Sequence, residues 1–256
     1  MMISPQQYRL IWALLLLWVN LPQDSLADQL RIAVASNFAP ALRTISEHFE
    51  SQTGHKVQIS AASSGKHYAQ IIQGAPFDIF FAANKQYPKK LEQQKLATPD
   101  SRFTYALGKL ILWSADATLL DDQASILHQG KFRYLAIANP KLAPYGQAAR
   151  QVLQAFQLWD PLQQKIIRGE NIGQTFQFVY SDNAQLGFIA RSQLMQLNGD
   201  NQGSFWPVPQ SLYTPIEQQA VLLSNKASAQ AFISFVKTPA MLEIIRGFGY
   251  GTAYAE

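Results

Sequence analysis

The feature that most constrains the fold is a unit that occurs twice in the first third of the chain. Each copy has a short apolar run, an abrupt cluster of hydroxyl and amide side chains, and then an apolar pattern of helical period. In the first copy residues 30–35 (LRIAVA) lack helical period and stop at Ser36-Asn37-Phe38. From Pro40, the residues Leu42, Ile45 and Phe49 recur at helical spacing until Gly54. In the second copy residues 57–60 read as strand, Ser63-Ser64-Gly65 as loop, and Tyr68, Ile71 and Ile72 as one helix face ahead of Gly74. Residues 77–83 (FDIFFAA) follow as a third strand. Parallel strands joined through helices share one handedness, so both polar loops are predicted at the same carboxyl edge of one sheet. Open α/β sheets hold their ligands at that edge.

The chemistry of the two loops points to an anion. Residues 61–66 (AASSGK) combine hydroxyls with bare backbone N–H groups at a helix start, which can hold negative charge without a paired cation. Ser36 and Asn37 occupy the matching place before Pro40, a residue tolerated in a first helical turn. Ordinary N-capping explains Ser36 and Asn37 equally well. Lys66 follows the loop and, on a helix, is expected to point into solvent. A formal net charge of +4 suits anions in general. Nucleic acid is not expected as a partner, because the basic residues stand singly or as Lys89-Lys90 beside acids rather than in clusters.

The remaining chain repeats the α/β pattern. Residues 86–94 read as helix, and 105–113 (YALGKLILW) as an apolar crossover into a second lobe. There residues 134–138 form a strand, Asn139-Pro140 through Pro144-Tyr145-Gly146 a stiff loop, and Ala149, Val152, Leu153 and Phe156 a helix face. Residues 165–168 are a short strand, and Asn171 is a plausible cap for a helix carrying Phe176 and Val179. Strand 186–190, helix 191–197, a turn at 198–201, a return run at 213–223 and helices at 227–236 and 239–246 complete the chain. The expected division is a signal peptide at 1–27, a first lobe from 28–107 plus 214–256, and a second lobe at 108–213. With 256 residues, 48% hydrophobic and 15% charged, the chain can bury a large core.

The signal peptide is read from Arg9, the apolar run at residues 10–19 and the small-x-small pattern Ser25-Leu26-Ala27. That run is about half of the ~20 residues a membrane span requires. Export to the periplasm with cleavage before Asp28 is therefore expected. The absence of cysteine excludes disulfides, thiolate metal sites, cysteine nucleophiles and a lipidated cysteine anchor.

Three catalytic signatures can be tested against the residues. Ser63-x-x-Lys66, Ser181-Asp182-Asn183 and Lys237-Thr238 imitate, in order, the motifs of penicillin-recognising serine hydrolases. Pro239 stands where the third motif needs glycine, and Ser181-Asp182-Asn183 falls at a turn, so this reading is a minor alternative. Gly65-Lys66 lacks the remaining residues of a phosphate-binding P-loop. His48, His55, His67 and His128 have no paired-ligand spacing and are expected to be solvated.

Ala35-Ser36-Asn37, the stretch from Ala62-Ser63-Ser64-Gly65 through Gln73-Gly74-Ala75-Pro76-Phe77-Asp78-Ile79-Phe80, Asn139-Pro140 with Pro144-Tyr145-Gly146, Leu158-Trp159-Asp160, Glu170-Asn171-Ile172 and Leu186-Gly187 stand in one order and spacing. In these the sequence resembles the periplasmic molybdate-binding proteins of ABC importers over nearly the whole chain after residue 27. The resemblance implies a two-lobed periplasmic binding protein fold of class α/β, with two mixed sheets flanked by helices and joined by two crossover strands. It also implies a receptor for molybdate, and tungstate, that serves a membrane permease as a monomer, with no cofactor and no enzymatic activity. By position it places hydroxyl donors at Ser36 and Ser64, and backbone N–H donors at Tyr145 and Ile172, where side-chain identity is expected to matter little. Many members carry tyrosine where this chain has Ala190, which has no donor. Asn37 is expected to supply the missing bond through its NH₂ group. The alternatives are a same-fold receptor for another tetrahedral oxyanion such as sulfate, and a serine acyl hydrolase using Ser63 and Lys66.

Overall fold

The computed structural model describes residues 28–197 and 202–252. The expected signal peptide at 1–27 and the turn at 198–201 lie outside the described residues. The first sheet contains β1 (Gln29–Ala35), β2 (Lys56–Ala62), β3 (Ile79–Ala82), β4 (Phe103–Gly108) and β10 (Ile216–Leu222), in the order β2-β1-β3-β10-β4. The strands β1, β2 and β3 are parallel, and β10 runs antiparallel to both neighbours. The second sheet repeats the plan with β5 (Leu110–Ser114), β6 (Leu135–Ala138), β7 (Ile166–Gly169), β8 (Leu186–Ala190) and β9 (Ser204–Pro207), in the order β7-β6-β8-β5-β9. Here β6, β7 and β8 are parallel and β5 is antiparallel to β8 and β9.

Both faces of each sheet are covered, which explains why the central strands are apolar without alternation. On the first sheet, Leu30, Ile32 and Val34 pack with Leu42, Ile45 and Phe49 of α1 (Ala39–Thr53), while Ala33 and Phe80 face α2 (Ser64–Ile72) and α3 (Gln86–Gln93) through Ile71 and Leu91. Pro40 lies in the first turn of α1, and Gly54 ends that helix at φ 74° with its N–H on the Glu50 carbonyl at 2.9 Å. After the short α4 (Ile126–Gln129), the second sheet receives α5 (Pro144–Ala155) on one face through Val152 and Leu153, and α6 (Ile172–Tyr180) on the other through Phe176 and Val179. The short α7 (Arg191–Leu194) follows β8, and α8 (Ala227–Val236) and α9 (Pro239–Gly247) return to the first core.

Several expectations are corrected. The run at 105–113 is two strands that belong to different sheets, with the chain crossing at Lys109. Residues 61 and 62 finish β2, Ser63 is an N-cap, and helix begins at Ser64, so the serine cluster is a helix start rather than a free loop. The helix predicted at 191–197 ends at Leu194. Strand β9 and helix α4 were not predicted, since each has only four residues and too few periods to show a pattern.

Candidate functional site

The carboxyl ends of the parallel strands in the two sheets face one another, and five residues from those ends line one small cavity: Ser36, Asn37, Ser64, Tyr145 and Ile172. Its volume is only about 10 Å³, far below the range of ligand pockets for larger organic molecules. Ala35, Ala62, Ser63, Ala83, Ala143 and Pro144 complete the walls, and no charged side chain lines them. Ala190 is fully buried at the end of β8 and is not part of the lining.

Each element presents unused donors for a local reason. In α5 the N-cap is Ala143, which has no side-chain acceptor, and Pro144 has no N–H, so Tyr145 carries the first free donor. In α6 Asn171 accepts from Gln174 N–H at 3.1 Å, which leaves Ile172 N–H unused by the cap. Ser64 is fully buried, and its Oγ accepts from Ala83 N–H at 2.9 Å, which leaves the hydroxyl hydrogen free to donate. Ser36 Oγ likewise accepts from Gly173 N–H at 3.2 Å, so its hydrogen is also available.

The lobes touch around this cavity. Gly65 N–H donates to the Leu142 carbonyl at 2.9 Å, and Gly173 N–H to Ser36, each bond crossing from one sheet's half of the molecule to the other. A Cβ on Gly65 would lie 2.9 Å from the Leu142 carbonyl oxygen, which explains glycine at this point of closest approach. Lys66 is not simply solvated: its Nζ lies 3.6 Å from Glu170 in the opposite lobe, with both side chains more than half exposed.

Two side chains differ from expectation. The Asn37 amide is buried, and its Nδ2 donates to Gln218 Oε1 at 2.7 Å and Tyr250 Oη at 3.1 Å, so in this orientation it has no N–H left for a ligand. The Tyr145 side chain is also buried, with its hydroxyl against Gly108 at the crossover, so its identity is not incidental. Gln218 and Tyr250 were missed. The signal for Gln218 was its place in the polar run Glu217-Gln218-Gln219 of a strand that is otherwise apolar, where a register shift marks a bulge and both glutamines are buried.

The hydrolase and zinc fragments do not assemble. Ser63 Oγ caps α2 by accepting from Lys66 N–H at 3.3 Å, and Lys66 Nζ is turned to Glu170. Ser181 lies at the far end of α6 from the cavity, roughly 13 Å along the helix. Lys237 Nζ sits over the Phe103 ring. Among the described residues no three His, Asp or Glu side chains form a metal cluster. His67 is a correction: it is fully buried between the Val34 carbonyl (Nε2, 3.2 Å) and Gln70 (Nδ1, 3.1 Å), and burial pushes its pKa below the ordinary value. It occupies the inward face of α2, two positions after Gly65.

Comparison with known proteins agrees with this geometry. The model of the bacterial extracellular solute-binding protein family matches residues 30–251. The chain is 45% identical to the molybdate-binding protein ModA of Azotobacter vinelandii over 228 residues, covering 88% of this chain and 90% of that one. It is 43% identical to ModA of Rhodobacter capsulatus over 251 residues, covering 97% and 98%. The solved structure of the Azotobacter vinelandii periplasmic molybdate-binding protein superposes with a TM-score of 0.84 at 43% identity, covering 88% of this chain and all of that one. With two mixed sheets facing across a donor-lined cavity and a family match over nearly the whole described chain, this protein belongs to the bacterial extracellular solute-binding proteins.

Proposed function

We propose that the protein is a periplasmic receptor that binds molybdate, and tungstate, between its lobes and delivers it to the membrane permease of an ABC importer. The observation that carries this reading is the cavity itself: hydroxyls and helix-start N–H groups converge on it from both lobes, with neither a cation nor a carboxylate in its walls. A site made of donors suits a fully ionised tetrahedral dianion, since each hydrogen bond to a charged group contributes about 1.5–3 kcal/mol. Hydrogen phosphate brings a proton that finds no acceptor there, and a rigid shell spaced for a larger ion holds sulfate poorly. The relatives named molybdate-binding protein support this choice over sulfate.

In this reading Ser36 and Ser64 donate through their hydroxyls, Tyr145 and Ile172 through backbone N–H, and the lobes correspond to residues 28–107 plus 214–256 and 108–213. The segment 1–27 acts as a cleaved signal peptide, and the receptor works as a monomer without cofactor, enzymatic activity or nucleic acid. Thermal melts with molybdate, tungstate, sulfate and phosphate test it. A ligand at ~1,000 times its Kd adds about 4 kcal/mol to stability, so molybdate and tungstate should raise Tm by several degrees. A response to sulfate alone would overturn the reading.

A further inference from the structure

The first turn of α6 gives each of its first three N–H groups a separate use. Gln174 N–H goes to the Asn171 cap at 3.1 Å, and Gly173 N–H crosses to Ser36 Oγ in the other lobe at 3.2 Å. Ile172 N–H is left for the cavity that this residue lines. A helix start is also where a helix frays, so a donor on its first residue is only as well aimed as the groups that brace it.

The brace comes from Gln193, the third residue of α7. Its Oε1 accepts from Ala190 N–H at 3.0 Å, one half of a capping box; the other half is missing because Ala190 has no side-chain acceptor. Its Nε2 reaches back to the Ile172 carbonyl and donates to it at 3.0 Å. Both bonds are buried, and the residue is only 7% exposed. One partner is an N–H that can only donate and the other a carbonyl that can only accept, so the Gln193 amide has a single possible orientation. In an α-helix the Ile172 carbonyl also serves the N–H four residues on, so it does not need Gln193 to be satisfied. The second bond fixes where that carbonyl points. The Ile172 carbonyl and the Gly173 N–H belong to one planar peptide unit. Gln193 therefore holds that plane at its oxygen from the second lobe, while Ser36 holds it at its nitrogen from the first.

From this we infer that Gln193 is the positioning residue for the oxyanion donor at Ile172. It pins the 172–173 peptide plane from within the second lobe, before Ser36 arrives, so that the Ile172 N–H is aimed at the anion and the Gly173 N–H at Ser36 as the lobes close. The inference rests on the receptor reading above. Gln193 is not part of the cavity wall; it lines the groove on the outer side of the Gly173–Ser36 contact and acts on the anion only through α6.

Titration calorimetry with molybdate of the wild type, Gln193→Met and Gln193→Glu between pH 8 and pH 5 tests this. Methionine has nearly the same length and makes neither bond, so Gln193→Met should bind about tenfold more weakly than the wild type at every pH. A glutamate at 193 still accepts from Ala190 N–H, but its ionised form turns an oxygen on the Ile172 carbonyl, and only its protonated form has an O–H to donate there. Affinity relative to the wild type at the same pH should be at least about tenfold lower at pH 8. It should return to within about threefold as the new carboxyl, whose pKa burial raises and whose ¹³C resonance follows it, takes up its proton. Recovery that does not track that protonation, or wild-type affinity in both variants, would overturn the inference. Backbone ¹⁵N–H resonances separate aiming from general support of the fold. In molybdate-saturated Gln193→Met the Ile172 N–H proton should lie upfield of its wild-type position, while the Tyr145 N–H from α5 keeps its place. Equal movement of the two, or none, would overturn the inference. If neither variant folds, the wild type decides: its Ile172 N–H and its Gln193 side-chain amide should both shift when molybdate is added, and a shift of neither or of one alone overturns it. Failure of the wild type to bind molybdate would instead overturn the receptor reading.

Discussion

At the scale of single residues, Ser64 has two tasks on one oxygen. It accepts the Ala83 N–H, and in the proposed reading its own hydrogen goes to the anion. Ser64→Ala removes one charge-directed hydrogen bond and strands a buried donor, so molybdate affinity should fall about 10- to 100-fold and unliganded stability by about 1–3 kcal/mol. Calorimetry and urea unfolding read the two losses separately, and full retention of affinity would remove Ser64 from the site. His67 makes a prediction with a definite sign. Burial lowers its folded pKa below the ordinary value, so the unfolded chain takes up a proton first as pH falls. Stability is therefore unaffected by this group above the ordinary histidine range and declines below it, by at most about 1.4 kcal/mol per pH unit. Urea titrations between pH 7.5 and 5 should show a shallower decline in His67→Gln than in the wild type; equal slopes would contradict it. Ser36 and Ser64 were legible because hydroxyls at strand ends stand out in an apolar pattern. His67 and Gln218 were not, because burial of a polar side chain depends on partners that are distant in sequence, such as Val34 for one and Asn37 for the other.

At the scale of elements, two glycines hold helix starts at the cavity and should respond differently to the same change. Gly146 lies in the first turn of α5, where a Cβ would come 2.1 Å from the Ala138 carbonyl oxygen at the end of β6. Both partners belong to one lobe, so Gly146→Ala strains the fold itself and should lower Tm without ligand, by about 1–3 kcal/mol of stability. Gly65→Ala meets the Leu142 carbonyl of the other lobe and, equally near, the Tyr87 hydroxyl of its own, which is the far end of a side chain that can turn aside, so a slight separation of the lobes relieves the backbone clash. It should leave unliganded Tm nearly unchanged while weakening molybdate about tenfold or more, because the closed geometry is what the new methyl opposes. Equal effects on Tm in the two variants would contradict this division. The strands and long helices that carry these glycines were readable from period and punctuation: Gly54 and Gly74 stop helices, and Pro40 and Pro144 start them. What the pattern could not give was that 105–113 splits at Lys109, since an apolar run says nothing about which sheet pairs with each half.

At the scale of the whole molecule, binding separates into attraction at long range and holding at short range. In the proposed reading holding falls to neutral donors, whereas Lys66 is a cation beside them, paired at 3.6 Å with an exposed Glu170 of the other lobe. An exposed pair of this kind contributes about 0–1 kcal/mol to closure, so it is a weak latch. Its cation still adds to a net charge of +4, and a positive field raises the encounter rate of a dianion. The two-lobed plan was visible in the sequence from the two runs that cross between halves, but the closing contacts were not, because Gly65 to Leu142 joins two backbone groups and the donor to the Ser36 hydroxyl is the backbone N–H of Gly173, and backbone groups carry no residue signature. Salt distinguishes the two roles. Raising ionic strength from 20 to 500 mM shortens the screening length from about 20 Å to about 4 Å, so association of molybdate should slow several-fold while dissociation changes little. Lys66→Ala should flatten the association dependence, and loss of the weak latch should quicken dissociation by no more than about fivefold. Stopped-flow measurement of both rates would refute this separation if dissociation quickened with salt as much as association slowed, since the anion would then be held by charge rather than by the neutral donors of Ser36, Ser64, Tyr145 and Ile172.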